Sequence, residues 1–83
     1  MPRQELGKHM YAILTSGVWE IHSTHNAAYV LGRCATEMGS DMGPCVFFAY
    51  NGFSGAADCL QEIVKFLERL NAERKKPKEA EDE

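Results

Sequence analysis

The sequence carries no excess of basic charge and no long apolar run, and it holds only three cysteines, three prolines and one tryptophan in 83 residues. Each shortage removes a class of function. A membrane-spanning helix needs roughly 18 or more consecutive apolar residues, and no stretch approaches that. The opening MPRQELGKH lacks the apolar centre of a secretory signal. These features predict a cytoplasmic protein without membrane contact. Three cysteines cannot pair off, so a disulfide framework is not expected. Cys34, Cys45 and Cys59 are read as free thiols that act as small apolar side chains, the usual state in a reducing compartment.

The charge of −3 hides an uneven distribution. Nine Lys and Arg stand against twelve Asp and Glu, and four of the acids lie in the last five residues, EAEDE. Without those four the balance over residues 1–78 is nine bases to eight acids, or +1. A nucleic-acid partner is disfavoured, because binding a phosphate backbone takes a basic patch. ERKKPK at 73–78 runs straight into the acidic end and largely neutralises it. Residues 75–83 have nothing to bury and are expected to form a disordered charged tail.

Chemical motifs are also missing. GSDMG and NGFSG match neither the phosphate-cradling Gly-x4-Gly-Lys nor Gly-x-Gly-x2-Gly. There is no Cys-x2-Cys for metal binding or thiol exchange. The acids are scattered, with no motif tying any two together. An enzyme is therefore not the favoured reading.

What is present suits one small domain, compact over residues 8–74. HMYAILT at 9–15 is apolar and β-branched, Ser16-Gly17 supplies a tight turn, and VWEIH at 18–22 alternates. Together they predict a β-hairpin. Ser23 or Thr24 then caps a helix in which Ala27, Leu31, Cys34 and Met38 share one stripe. Gly32 inside it implies close packing against the sheet, and Gly39 ends it. CVFFAY at 45–50 reads as a strand buried on both faces in the middle of the sheet, and Phe53 extends a short further strand. Ser54 caps a last helix over 55–74, where Leu60, Ile63, Val64, Leu67 and Leu70 make an apolar stripe. The expected fold is α+β, hairpin–α–β(–β)–α, with an antiparallel or mixed sheet and two helices packed on one face. Residues 1–8 read as a loose lead-in. Strand, turn, paired alanines and helix recur in both halves, which raises the prospect of a duplicated ββα unit.

Two sets of residues stand out as candidate sites. His22 and His25 in HSTH, with Cys34, have ligand types that suit Zn²⁺. Surface histidines near a helix start are the plainer account of the same residues. The second set comes from the eight aromatic residues. Trp19, Tyr50 and Phe53 flank turns, where side chains reach solvent, and are the candidate partner contacts. The leading expectation is a small non-enzymatic interaction module, an adaptor or inhibitor of the kind phages and mobile elements encode, acting on another protein. Two alternatives differ in class. One is a metal- or thiol-dependent protein using His22, His25 and a cysteine. The other is an oligomeric enzyme or ligand-binding protein with sites between subunits. A homodimer is compatible with all three.

Overall fold

The structure, a computed structural model, describes residues 2–37 and 43–74. Five strands and one helix follow one another: β1 (Arg3–Leu6), β2 (Met10–Thr15), β3 (Val18–Ser23), β4 (Val30–Thr36), β5 (Cys45–Ala49) and α1 (Ala57–Arg74). The strands form a single antiparallel sheet in the order β1-β2-β3-β4-β5, so each pairs with its neighbour in sequence. The domain is α+β, but the expectation of two helices on the sheet is overturned. Among the described residues there is one helix, and the segment assigned to the other is a loop over 24–29 followed by a strand.

The β2–β3 hairpin forms where alternation and turn residues place it. Thr15 pairs with Val18 and Met10 with Ser23. Ser16 and Gly17 both adopt positive φ, 52° and 81°. Two successive residues of that kind make the type I′ turn, whose twist matches the flanking strands.

β4 replaces the expected first helix. The register between β3 and β4 shifts at Ile21/His22, where His22 pairs with Val30 while Ile21 pairs with Gly32. Leu31 is the extra residue of this β-bulge, and Leu31, Gly32 and Cys34 are all buried. A bulge breaks the two-residue alternation, and here it leaves buried positions at i and i+3, the spacing of a helix. Gly32 does serve close packing, but within a sheet. The supposed helix end at Met38 and Gly39 lies outside the described residues, as does the 75–83 tail.

Two other expectations give way. Residues 3–6 are not a loose lead-in but β1, paired with β2 from Arg3↔Ile13 to Leu6↔Met10. β5 is not central. It is an edge strand in which no residue is fully buried and Val46 and Ala49 are exposed, and Phe53 beyond it sits in a loop rather than a further strand. The halves of the chain are thus not copies of one ββα unit, since the first contributes strands where the second contributes a helix.

α1 lies where its apolar stripe predicts. It begins at Ala57, three residues past Ser54, with Leu60 N–H donating to the Ala56 carbonyl at 3.0 Å. Asp58 in the first turn and Arg74 in the last complement the helix dipole. Ile63 and Phe66 enter a core of Leu6, Met10, Ala12, Ile21, Leu31 and Cys34. Burying an apolar side chain of this size contributes about 1.5–3 kcal/mol. The helix crosses the sheet obliquely. Near its start, Glu62 stands against Gly7 in the β1–β2 turn. Near its end, the Asn71 amide meets the Cys45 main chain, and Arg74 Nη2 donates to the Gly43 carbonyl at 2.7 Å.

Candidate functional site

One helix covers one face of the sheet. Alternation sends the intervening side chains to the other face, which no described element covers. Two cross-strand rows occupy it. Arg3, Ile13, Glu20, Arg33 and Phe48 form one row spanning all five strands, and Glu5, Tyr11 and His22 form a second beside it.

Contacts within the rows hold this face in a defined arrangement. The Arg3 guanidinium lies 3.9 Å from the centre of the Tyr11 ring, and Arg3 Nε donates to Glu5 Oε2 at 2.7 Å. On the other side of Tyr11 the His22 ring stacks at 5.3 Å between centroids, 14° from parallel. Tyr11 is sandwiched between them and only 6% exposed, although it lies away from the helix-side core. His22 Nε2 is 3.4 Å from Glu20 Oε1, and its Nδ1 lies 2.9 Å from the Ala27 carbonyl oxygen. A carbonyl only accepts, so Nδ1 carries the proton of that bond. Arg33 lies 5.2 Å from the centre of the Phe48 ring. Cation–π contacts of this kind contribute about 0.5–1 kcal/mol at exposed sites, so the array is preorganised but shallow.

HSTH is the end of a strand and the start of a loop. The Ser23 side chain, one of the two expected helix caps, bonds the loop backbone instead, as does that of Asn26. Ser23 Oγ accepts from His25 N–H at 3.1 Å, and Asn26 Oδ1 accepts from Ala28 N–H at 3.1 Å. The cause is shared: short polar side chains satisfy nearby main-chain groups at helix starts and in turns alike. Thr24 ties this loop to the β1–β2 turn, its Oγ1 donating to the Lys8 carbonyl at 3.2 Å and its N–H to that of His9 at 3.0 Å.

The residues proposed as zinc ligands are not gathered. His22 lies on the open face, while Cys34 is buried in the helix-side core. His25 stacks instead on His9 from the adjacent loop, 5.6 Å between centroids. Among the described residues no group of three or more His, Cys, Asp or Glu converges on one point. Burial pushes the Cys34 thiol up to about 12, with the neighbouring Cys45 adding to the effect. That holds it as the neutral thiol.

The three candidate contact aromatics separate. Trp19 packs edge-on against Phe66, 5.3 Å between centroids, and so belongs to the rim of the core. Phe53 is half-buried edge-on against Phe47, 5.9 Å between centroids. Tyr50 alone is substantially open, at 37%. Sequence reasoning missed Arg3, Tyr11, Glu20, Arg33 and Phe48 as a group. Part of it was within reach: a two-residue turn at 16–17 places Tyr11 opposite His22.

The chain matches no protein-family model, no curated protein and no solved structure. Among the described residues no helix is long and apolar enough to cross a membrane.

Proposed function

We propose that the protein is a non-enzymatic, cytoplasmic interaction module that binds a partner protein through the open face of its sheet. The observation that carries this reading is the ordered alternation on that face. Arg3, Glu5, Glu20 and Arg33 interleave with Tyr11, His22 and Phe48, and Tyr11 is enclosed before any partner arrives.

The charge pattern supports a protein over a polyanion. A phosphate chain following either row would meet Glu5 or Glu20 beside each guanidinium. A folded surface carrying both signs of charge can pair Arg33 with a carboxylate and Glu20 with a cation. Such complementarity sets specificity and association rate more than affinity. The ring of Phe48 at the end of one row supplies the apolar contact. The three free thiols support a reducing compartment.

The test compares the wild-type chain with Arg33→Glu and, as a control on the far side of α1, Lys65→Glu. Proteins retained by the wild type and by Lys65→Glu, but lost by Arg33→Glu, are purified and titrated calorimetrically against all three chains. Direct binding weakened tenfold or more by Arg33→Glu alone supports the reading. Equal binding by all three removes the open face as the site.

A further inference from the structure

We infer that two copies of this chain pair through the free edge of β5, joining their sheets into one ten-stranded sheet with α1 and its symmetry mate alongside. The inference goes beyond the open-face reading and rests on the edge of β5, which shares only Phe48 with that face.

The hydrogen-bond pattern shows which main-chain groups of β5 are engaged. Tyr50 N–H donates to the Leu31 carbonyl at 3.0 Å, and Gly32 lies opposite Ala49. In an antiparallel ladder alternate residues direct both main-chain groups to the same side. Val46, Phe48 and Tyr50 therefore face β4, and Cys45, Phe47 and Ala49 face the free edge. Cys45 is already capped: its N–H donates to Asn71 Oδ1 at 2.7 Å, and its carbonyl accepts from Asn71 Nδ2 at 3.1 Å. Among the described residues, the main-chain groups of Phe47 and Ala49 are left without a partner.

Two residues separated by one are what a two-fold axis through Phe48 needs. Phe47 of each copy then exchanges both main-chain bonds with Ala49 of the other, for four bonds in all. The side chains fit the same register. Phe47 meets Ala49 and Val46 meets Tyr50, a large residue against a smaller one each time, while the two Phe48 rings meet at the axis. Asn71 stops the ladder at Cys45, which limits sliding to other registers.

Exposure singles out the same edge. Five large apolar residues are exposed among those described: Tyr29, Val46, Tyr50, Leu60 and Val64. Val46 and Tyr50 lie on or beside β5. Leu60 and Val64, 43% and 50% exposed, share a stripe of α1 with Asn71 at i, i+4 and i+11. Asn71 reaches the outer side of β5, and Leu60 and Val64 stand on that same side of the helix, about two to three turns nearer its start. The Phe53 ring and Leu60 both stand within 3.3 Å of the space a Gly55 side chain would take, which makes the apolar surface continuous from α1 to the loop after β5. Exposed edge strands are ordinarily guarded by charge. β1 carries Arg3 and Glu5, whereas residues 45–50 carry no charge at all. A stable dimer takes about 800 Å² from each protomer, more than a short ladder provides. The α1 stripe extends the contact beyond the ladder.

The experiment is sedimentation of the full chain at micromolar concentration, with three substitutions. The wild type is expected at dimer mass. Val64→Glu, at a half-exposed position, is expected to shift it to monomer with an unchanged circular dichroism spectrum. Leu60→Lys replaces that variant if its spectrum collapses. Phe48→Cys sits at a non-hydrogen-bonded antiparallel pair on the axis, where Cα atoms lie about 4.5 Å apart, inside the range for a disulfide. Mild oxidation should link most of it covalently, and Val46→Cys should link no more than the wild type. A monomeric wild type overturns the inference. So does a dimer unaffected by the helix substitution, or Phe48→Cys linking no better than Val46→Cys. Arg33→Glu should keep the dimer, so failure of the open-face reading is scored separately.

Discussion

The Phe47 ring occupies the space where a side chain on Gly32 would stand. A Cβ built on Gly32 falls 2.5 Å from the Phe47 ring and 2.4 Å from the Phe48 carbonyl oxygen. Both β5 residues would have to move, and one contact is with backbone. Gly32→Ala should cost about 2–3 kcal/mol, toward the upper end of core overpacking. Urea denaturation measures it, and a change under 0.5 kcal/mol would mean that β5 sits farther from β4 than described.

Trp19→Ala should destabilise the fold rather than simply remove a contact surface. The indole packs on Phe66 at the rim of the core, so the loss should be about 2–3 kcal/mol, below the roughly 3–5 of a fully enclosed aromatic. Thermal unfolding reads this directly. The same geometry predicts blue-shifted tryptophan emission in the native state, moving to the red on unfolding.

Asn71→Asp keeps the shape of the side chain and deletes its donor. A carboxylate oxygen then faces the Cys45 carbonyl in place of the N–H bonded there now. The expected loss is about 1–3 kcal/mol, the cost of leaving a polar group unpaired. Hydrogen exchange should also speed up at Cys45, whose N–H bonds to this same side chain. An unchanged melting temperature would show that the amide does not hold the helix end to the edge strand.

Cys34 predicts a loss of stability in alkali. Its thiol is pushed from 9.0 up to about 12 in the folded protein. Between those values the unfolded chain gives up the proton and the folded chain keeps it, so rising pH favours unfolding. The contribution is complete below pH 9 and declines as pH climbs toward 12. Comparing melting curves of the wild type and Cys34→Ala across that window isolates it: the wild type should fall more steeply. In the native state at neutral pH, a thiol reagent should modify Cys45 and Cys59 well before Cys34.

Ser16 offers a stabilising change. Its φ of 52° is a region that serine enters at a cost and asparagine tolerates better. Asn-Gly is the preferred pair for this turn. Ser16→Asn should gain about 0.5 kcal/mol, visible as a rise in melting temperature without any change in the far-ultraviolet spectrum.

Parts of the chain could be read from sequence wherever one periodicity ran without interruption. The β2–β3 hairpin has alternation and a Ser-Gly turn. α1 has a long stripe from Leu60 to Leu70. β4 was misread because its bulge buries Leu31 and Cys34 three positions apart, and a strand with an inserted residue then imitates a helix. β1 was missed because Arg3-Gln4-Glu5 buries nothing, and only Leu6 enters the core. Its pairing with β2 is a main-chain event without a side-chain signature. The same error hid the open face. With a second helix assumed in place of β4, Arg33 had no strand to stand on and Phe48 appeared central.

The stepwise order of the sheet bears on how the molecule is assembled. Each hairpin closes over a short stretch of chain, and contacts this local form quickly. α1 is different, since its first turns meet the β1–β2 turn, more than fifty residues earlier. It is the strap that joins the end of the sequence to its beginning. A nick in the loop at 50–56 would spare every strand pairing yet release Ile63 and Phe66 from beneath the sheet. The five strands would then be left with two wet faces and no interior.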